Sequence, residues 1–162
     1  AKKLLLLAVF ITFAVLAAAQ ISAGHNALQL LQAKNPDENY AIQFQLWMRM
    51  CYKKDVPGIV RWSDEMHKIN REDQKHFLSY ALDQIRQNLV LNYTGADFVR
   101  LNQSEKSFSD KFAPFINDLN AEELMEEITE AYHDVSRNAY TKLVRTDLSF
   151  KLHYLLTRKA ES

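Results

Sequence analysis

Apolar residues recur every three or four positions along most of this chain, which is the spacing that places them on one face of an α-helix. This pattern predicts helices over residues 38–53, 58–69 and 71–93. Pro57 is suited to the first turn of the second helix, and Gly95 to the end of the third. The first half of the chain is therefore predicted to be a series of amphipathic helices joined by short turns.

The second half of the chain begins with an irregular segment and continues with a long run that lacks Pro and Gly. Residues 94–119 spread their aromatic side chains among Ser, Asn and Pro, which predicts short helices and turns. Asn120 is predicted to cap the next helix, with Glu123 at the third helical position as a variant of the capping box. Two apolar stripes within residues 121–157 predict two helices that meet near residues 136–138. Together these segments predict an all-α helical bundle of about five to seven helices.

Composition narrows the class of protein without changing this prediction. The 162 residues suit one domain, and 48% of them are hydrophobic, while Gly and Pro occur only three times each. So few Gly and Pro residues argue against an all-β protein, which needs frequent turns. The formal charges cancel, 20 against 20, so the chain lacks the basic excess that is typical of a dedicated nucleic-acid binder. The single Cys51 excludes an intrachain disulfide framework and a Cys-rich zinc site.

The first 20 residues have the organisation of a secretory leader. A basic start, Lys2-Lys3, precedes an apolar run over residues 4–16 and a small-residue cleavage site, Ala17-x-Ala19. The apolar run is short for a membrane-spanning helix, which needs about 20 residues. We therefore interpret residues 1–20 as a leader-like segment, which alone favours export to the periplasm, and residues 21–162 as a single helical domain.

The chain offers few motifs for catalysis. It has neither the Gly-rich loop that holds phosphates nor the GxSxG turn of serine hydrolases. The carboxylate-x-x-His spacing that resembles the ligand motif of di-iron helical bundles occurs three times, as Glu130–His133, Asp64–His67 and Asp73–His76. A di-iron site needs two Glu-x-x-His pairs and two further carboxylates, so we interpret Glu130 and His133 as part of a solvated charged face. Cys51 is interpreted as a buried structural residue, and no catalytic, cofactor-binding or metal-ligating residue is predicted.

Four segments carry a resemblance to a known family. They read FQLWMRMCYKKDV at residues 44–56, REDQKHFLSYALDQIRQNLVLN at 71–92, DFVRLNQSEKSFSDKFAPFI at 97–116 and RNAYTKLVRTDLSFKLHYLL at 137–156. In order and spacing they resemble the C-terminal, collar region of the DNA polymerase III delta-prime subunit of the Bacteroidota type. The resemblance covers roughly residues 21–157, while the leader-like segment at residues 1–20 departs from the family pattern.

The resemblance implies a part of the clamp loader, the assembly that places the sliding clamp on DNA during replication. In that family the C-terminal helical domains of several subunits pack together into a collar and have no catalytic role. The resemblance therefore implies other clamp-loader subunits as partners, no cofactor, no small-molecule substrate, at most an indirect contact with DNA, and a cytoplasmic location. It also implies no membrane contact if residues 1–20 are cleaved or are not native. The residues to which it assigns a subunit-interface or structural role are Trp47, Arg49, Tyr52, Phe77, Tyr80, Arg86, Arg137, Asn138 and Lys151.

Two functions stay open at this point, beside a third and less favoured one, a di-iron or similar metalloenzyme built on the Glu-x-x-His motif. One is the non-catalytic helical oligomerisation module of a clamp loader, which the longer part of the chain favours. The alternative is an exported, periplasmic all-α protein with a binding role, which the leader-like segment favours.

Overall fold

A computed structural model describes residues 36–95 and 98–158 of the chain. These residues contain no strand and form six α-helices and one 3₁₀ turn: α1 Pro36–Lys53, α2 Val56–His67, α3 Arg71–Thr94, α4 Gln103–Phe112, the 3₁₀ turn Ala113–Phe115, α5 Ala121–Ser136 and α6 Thr141–Thr157. The predicted all-α class and number of helices are confirmed. The described residues from Tyr40 onward belong to one compact unit. The leader-like segment and its predicted boundary at residue 20 lie outside the described residues.

Three polar or flexible residues set the ends of the first helices. The Asp55 carboxylate accepts a hydrogen bond from the backbone N–H of Gly58 at 3.0 Å and so caps α2. A Cβ atom at Gly58 would lie 2.3 Å from this carboxylate, so the cap requires glycine. Asn70 caps α3 by accepting from the N–H of Asp73 at 2.8 Å. Gly95, with a φ of 77°, ends α3 in a conformation that glycine adopts without strain.

The predicted capping box at Asn120 and Glu123 is wrong. The Asn120 side chain makes no cap hydrogen bond to α5. Its Oδ1 accepts from the N–H of Asn117 at 2.9 Å, and its Nδ2 donates to the carbonyls of Phe115 at 2.8 Å and Leu155 at 3.1 Å. The amide is buried, so these tertiary bonds satisfy it better than a local cap would. Asn120 therefore ties the turn before α5 to the last part of α6.

An aromatic cluster forms the centre of the core. The rings of Trp47 and Trp62 stack with their centroids 5.1 Å apart, and Phe77 lies 5.7 Å and 5.8 Å from them. The Trp47 indole donates to the hydroxyl of Ser149 at 2.8 Å, and the Trp62 indole donates to Gln43 at 2.9 Å. Both indole N–H groups are thus satisfied, as burial demands. The cluster joins α1, α2, α3 and α6.

The same core contains one charged side chain without a counter-ion. Arg145 of α6 is 0% exposed and donates one hydrogen bond, from Nη2 to Oε1 of Gln74 at 2.9 Å. Its Nε and Nη1 meet no acceptor among the described residues. Burial lowers the pKa of Arg145 to about 10, so the guanidinium still carries its charge at neutral pH. Because an uncompensated buried charge is costly, Arg145 is expected to reduce the stability of this fold.

We expect Arg145→Met to leave the free energy of unfolding unchanged or to raise it by about 1 kcal/mol, because the variant removes the desolvation cost of the charge. Arg71→Met is the matched control, since Arg71 donates to the carbonyl of Val135 at 2.6 Å. Losing this satisfied contact should lower the free energy of unfolding by about 1 kcal/mol. Urea unfolding followed by circular dichroism measures both variants. A loss of stability in Arg145→Met larger than that in Arg71→Met would contradict the argument.

Candidate functional site

An open groove lies on the surface between α1 and α4. It has a volume of about 280 Å³, and we call it the α1–α4 groove. Its lining is mainly apolar and aromatic, with contributions from α1, α4, the 3₁₀ turn and the end of α6: Met48, Tyr52, Phe108, Phe112, Phe115 and Leu156. Because the groove is partly enclosed and its lining is mainly apolar, it is the first candidate for a binding site.

Aromatic contacts give the groove its floor. Phe108 and Phe112 are one helical turn apart on α4, and their rings stack with centroids 4.9 Å apart. Phe44 of α1 meets Phe112 edge-on at 5.9 Å and so joins the two helices. The 3₁₀ turn brings Phe115 to within 4.9 Å of the half-exposed Tyr52 ring. These contacts leave aromatic surface open to solvent at the junction of the helices.

The rim of the groove carries positive charge. Arg49 and Lys53 line it from α1, and Lys111 lines it from α4, whereas no Asp or Glu is among the lining residues. The Arg49 guanidinium lies 5.6 Å from the centre of the Phe108 ring, within the range of a cation–π interaction. No ion pair joins Lys53 or Lys111 to a carboxylate of the described residues. The groove therefore combines an apolar floor with a basic rim.

A buried carboxylate holds α4 in place beside α3. Glu105 is 8% exposed, and its Oε1 accepts from the Tyr80 hydroxyl at 2.5 Å and from the Gln84 amide at 3.2 Å. Its Oε2 accepts from the N–H of Asn102 at 2.9 Å, while the Asn102 side chain accepts from the N–H of Glu105 at 2.9 Å. This pair forms a full capping box at the start of α4. The Asn-x-x-Glu spacing of this capping box is present in the sequence at residues 102–105, but it was not among the predicted caps.

A second, more open groove lies between α3 and α5, with a volume of about 680 Å³. It brings together Arg86 and Arg137, two of the residues that the family resemblance had selected. Half of their neighbours in this α3–α5 groove are acidic, namely Glu122, Glu126 and Glu130, and the others are Met125, Thr129 and His133. Glu130 and His133 thus share a solvated groove. Within the described part of the chain, no group of three or more His, Cys, Asp or Glu residues could hold a metal ion.

Four of the other predicted residues occupy structural positions. Trp47 and Phe77 belong to the aromatic core and are fully buried. Asn138 has a φ of 66° in the turn between α5 and α6, where Asn tolerates the left-handed conformation. Lys151 of α6 pairs with Glu127 of α5 at 2.7 Å and joins these two helices. A contact between subunits is therefore not needed to account for these four residues.

The structure thus brings Arg49 and Tyr52 together in the α1–α4 groove, and it places Tyr80 in the network that supports the groove. Sequence reasoning missed Phe108, Phe115 and Lys111 as members of this site. The signal that could have found them is the four-and-three spacing of the phenylalanines at the end of α4, followed by Pro-containing turn residues. Lys53, the last residue of the first predicted helix, was not predicted as part of the site either.

The remaining candidates for chemistry are engaged in the fold. Cys51 is fully buried, and this burial raises the pKa of its thiol to about 12, so the reactive thiolate is scarce at neutral pH. Asp64 pairs with Lys142 at 2.8 Å, and the hydrogen bond from this lysine lowers the pKa of the carboxyl group. His67 shares a 2.7 Å hydrogen bond with the hydroxyl of Thr141. Asp64 and His67 therefore each connect α2 to the start of α6.

Comparisons of this chain with protein-family models, with curated proteins and with solved structures found no match. Among residues 36–95 and 98–158, no helix is both long enough and apolar enough to cross a membrane. The candidate site is accordingly defined by the geometry of the α1–α4 groove and its supporting network.

We expect Tyr80→Phe to lower the free energy of unfolding by about 1–2 kcal/mol, because the buried Glu105 carboxylate would lose its shortest hydrogen bond. Tyr93→Phe is the matched control, since the Tyr93 hydroxyl donates to Asp118 at an exposed position. That bond competes with water, so its loss should leave stability unchanged. Urea unfolding of both variants measures the difference. Equal effects of the two substitutions would show that Glu105 does not hold α4.

Proposed function

We infer that this chain is a non-catalytic helical oligomerisation module of a DNA polymerase III clamp loader, which acts in sliding-clamp loading during DNA replication. The observation that supports this most is the position of Arg49 and Tyr52. The family resemblance selected both residues for a subunit-interface or structural role, and both line the exposed α1–α4 groove. Arg and Tyr are the residue types that most often dominate the binding energy of protein interfaces, so the groove has the composition of a subunit contact.

The outer face of α1 supports the same proposal. Ile42 and Leu46 are 47% and 39% exposed and lie one helical turn apart. Arg49 and Lys53 continue this row at spacings of three and four residues. The exposed face of α1 therefore leads from aliphatic side chains into the basic rim of the groove. A continuous apolar and basic surface of this kind fits the packing of one helical domain against another.

Under this proposal the partners are the other clamp-loader subunits, the location is the cytoplasm, and contact with DNA is at most indirect. The chain contributes binding surface rather than a reacting group. Helical packing with sister domains is the whole of its biochemical role.

We expect the 162-residue chain to co-purify with tagged clamp-loader subunits, and Tyr52→Ser to weaken that binding about tenfold, because it removes an aromatic anchor of the groove. Tyr154→Ser is the matched control, since Tyr154 is similarly exposed but lies on α6 outside the groove. It should bind like the unchanged chain. A pull-down followed by size-exclusion chromatography measures both. Failure of the unchanged chain to bind any loader subunit would refute the proposed function.

The second candidate function is an exported, periplasmic all-α binding protein. It is favoured by the basic start, the apolar run and the Ala17-x-Ala19 site within residues 1–20. Under this alternative a periplasmic fraction should contain a mature chain that begins at Gln20. N-terminal sequencing of the chain from separated cell fractions decides between the two locations.

A further inference from the structure

The size of the α1–α4 groove restricts what it can hold. Sites for drug-sized ligands and cofactors occupy roughly 300–1,000 Å³. At about 280 Å³, and open on one side, this groove falls just below that range. One or two anchoring side chains of another protein would fit a groove of this volume. The aromatic floor formed by Phe108, Phe112 and Phe115 would contact an apolar anchor of that kind.

The lysines of the described residues fall into two groups. Four of them pair with carboxylates: Lys68, Lys75, Lys142 and Lys151. The other four make no ion pair with the described residues and lie on α1, the turn after it, or α4: Lys53, Lys54, Lys106 and Lys111. The unpaired lysines of the described residues therefore lie on α1, the turn after it and α4, and two of them, Lys53 and Lys111, line the α1–α4 groove.

The chemistry of the lining defines the complementary ligand. Arg49, Lys53 and Lys111 supply cationic donors at the rim, and the lining has no acidic side chain that would repel or replace an incoming carboxylate. Asp110 lies beside Lys111 in sequence but is not part of the lining. An apolar group would fill the floor, and carboxylates on either side of it would meet the rim.

We propose that the α1–α4 groove binds a segment of a partner protein in which an aromatic or aliphatic anchor is flanked by Asp or Glu residues. The identification of that partner as a clamp-loader subunit rests on the proposed function, whereas the chemistry of the segment rests on the groove alone. The anchor packs against Phe108 and Phe115, and the flanking carboxylates pair with Arg49, Lys53 and Lys111.

A second copy of this chain is a less suitable occupant. The best candidate within the described residues is Leu119, which is 53% exposed and has acidic neighbours. Two of these neighbours are already engaged, since Asp118 accepts from Tyr93 and Glu123 pairs with Arg158 at 2.9 Å. Docking on the groove would have to compete with the ion pair between Glu123 and Arg158. The structure therefore favours a different protein as the partner.

The test selects ligands from a random peptide library on the immobilised full chain. We expect the enriched peptides to share an apolar anchor with Asp or Glu on both sides. Fluorescence anisotropy then measures one enriched, labelled peptide against the charge-reversed variant Lys53→Glu with Lys111→Glu. Binding should weaken roughly tenfold or more at physiological salt, because two attractive contacts become repulsive. The milder variant Lys53→Gln with Lys111→Gln should show a smaller loss in the same direction.

The matched control changes the same net charge away from the lining, in the variant Lys106→Glu with Arg61→Glu. Lys106 is exposed on α4 and Arg61 is exposed on α2, and neither lines the groove. This control should bind the peptide as the unchanged chain does. Thermal unfolding of every variant shows whether the fold is retained.

Any one of four outcomes would overturn the proposal. The library yields no binders, or it yields binders without acidic flanks. The groove and control variants lose affinity equally. Sedimentation of the unchanged chain reveals self-association that the charge reversal abolishes, which would assign the groove to a second copy.

The two proposals can fail separately. Loader subunits that bind the chain without an acidic consensus would leave the proposed function standing and refute the ligand assignment. If acidic peptides bind in the groove but no loader subunit competes with them, the ligand assignment stands and the proposed function is refuted.

Discussion

A buried carboxylate is tolerated only when enough donors replace the water it has lost, and Glu105 meets this condition through Tyr80, Gln84 and the backbone of Asn102. The first two donors belong to α3 and the third to the start of α4. One side chain therefore caps α4 and attaches it to its neighbour. The position of α4 in turn creates the groove in which the aromatic floor and the basic rim meet. The α1–α4 groove thus depends on the hydrogen bonds that Glu105 makes to α3.

Among the described residues, two charged side chains are buried, Glu105 and Arg145, and they differ in how many hydrogen-bond partners they have. The carboxylate of Glu105 has a full set of donors, whereas the guanidinium of Arg145 has one acceptor among the described residues. The hydrogen bonds of Glu105 position α4, whereas the burial of Arg145, whose one hydrogen bond goes to Gln74 of α3, is expected to lower the stability of the fold. A polar group near a helix start is easily satisfied by backbone N–H groups. Arg145 lies within α6, where backbone groups are already paired with one another.

Charge is distributed unevenly over a chain that is neutral as a whole. The paired lysines lie just after α2 and on α3 and α6, whereas Lys53 and Lys111 in the α1–α4 groove make no ion pair with the described residues. Paired surface charges gain little from a partner, because their interactions are already made and partly screened. Unpaired cations beside exposed aromatic rings retain their capacity to bind. Because it combines unpaired cations with exposed aromatic rings, we propose the α1–α4 groove, rather than the mixed-charge α3–α5 groove, as the main contact surface.

The amino-acid pattern alone determined the helices, because side chains that recur at the helical period can be buried on one face only in that conformation. It also placed the breaks at Pro57 and Gly95. The pattern Asn-x-x-Glu occurs at both Asn102 and Asn120, and local sequence does not distinguish them. Tertiary structure decided that the first caps a helix and the second binds the Leu155 carbonyl of α6. It also decided that Lys111 of α4 lines the same groove as Arg49 of α1, because the lining of a groove depends on how distant helices pack rather than on the order of neighbouring residues.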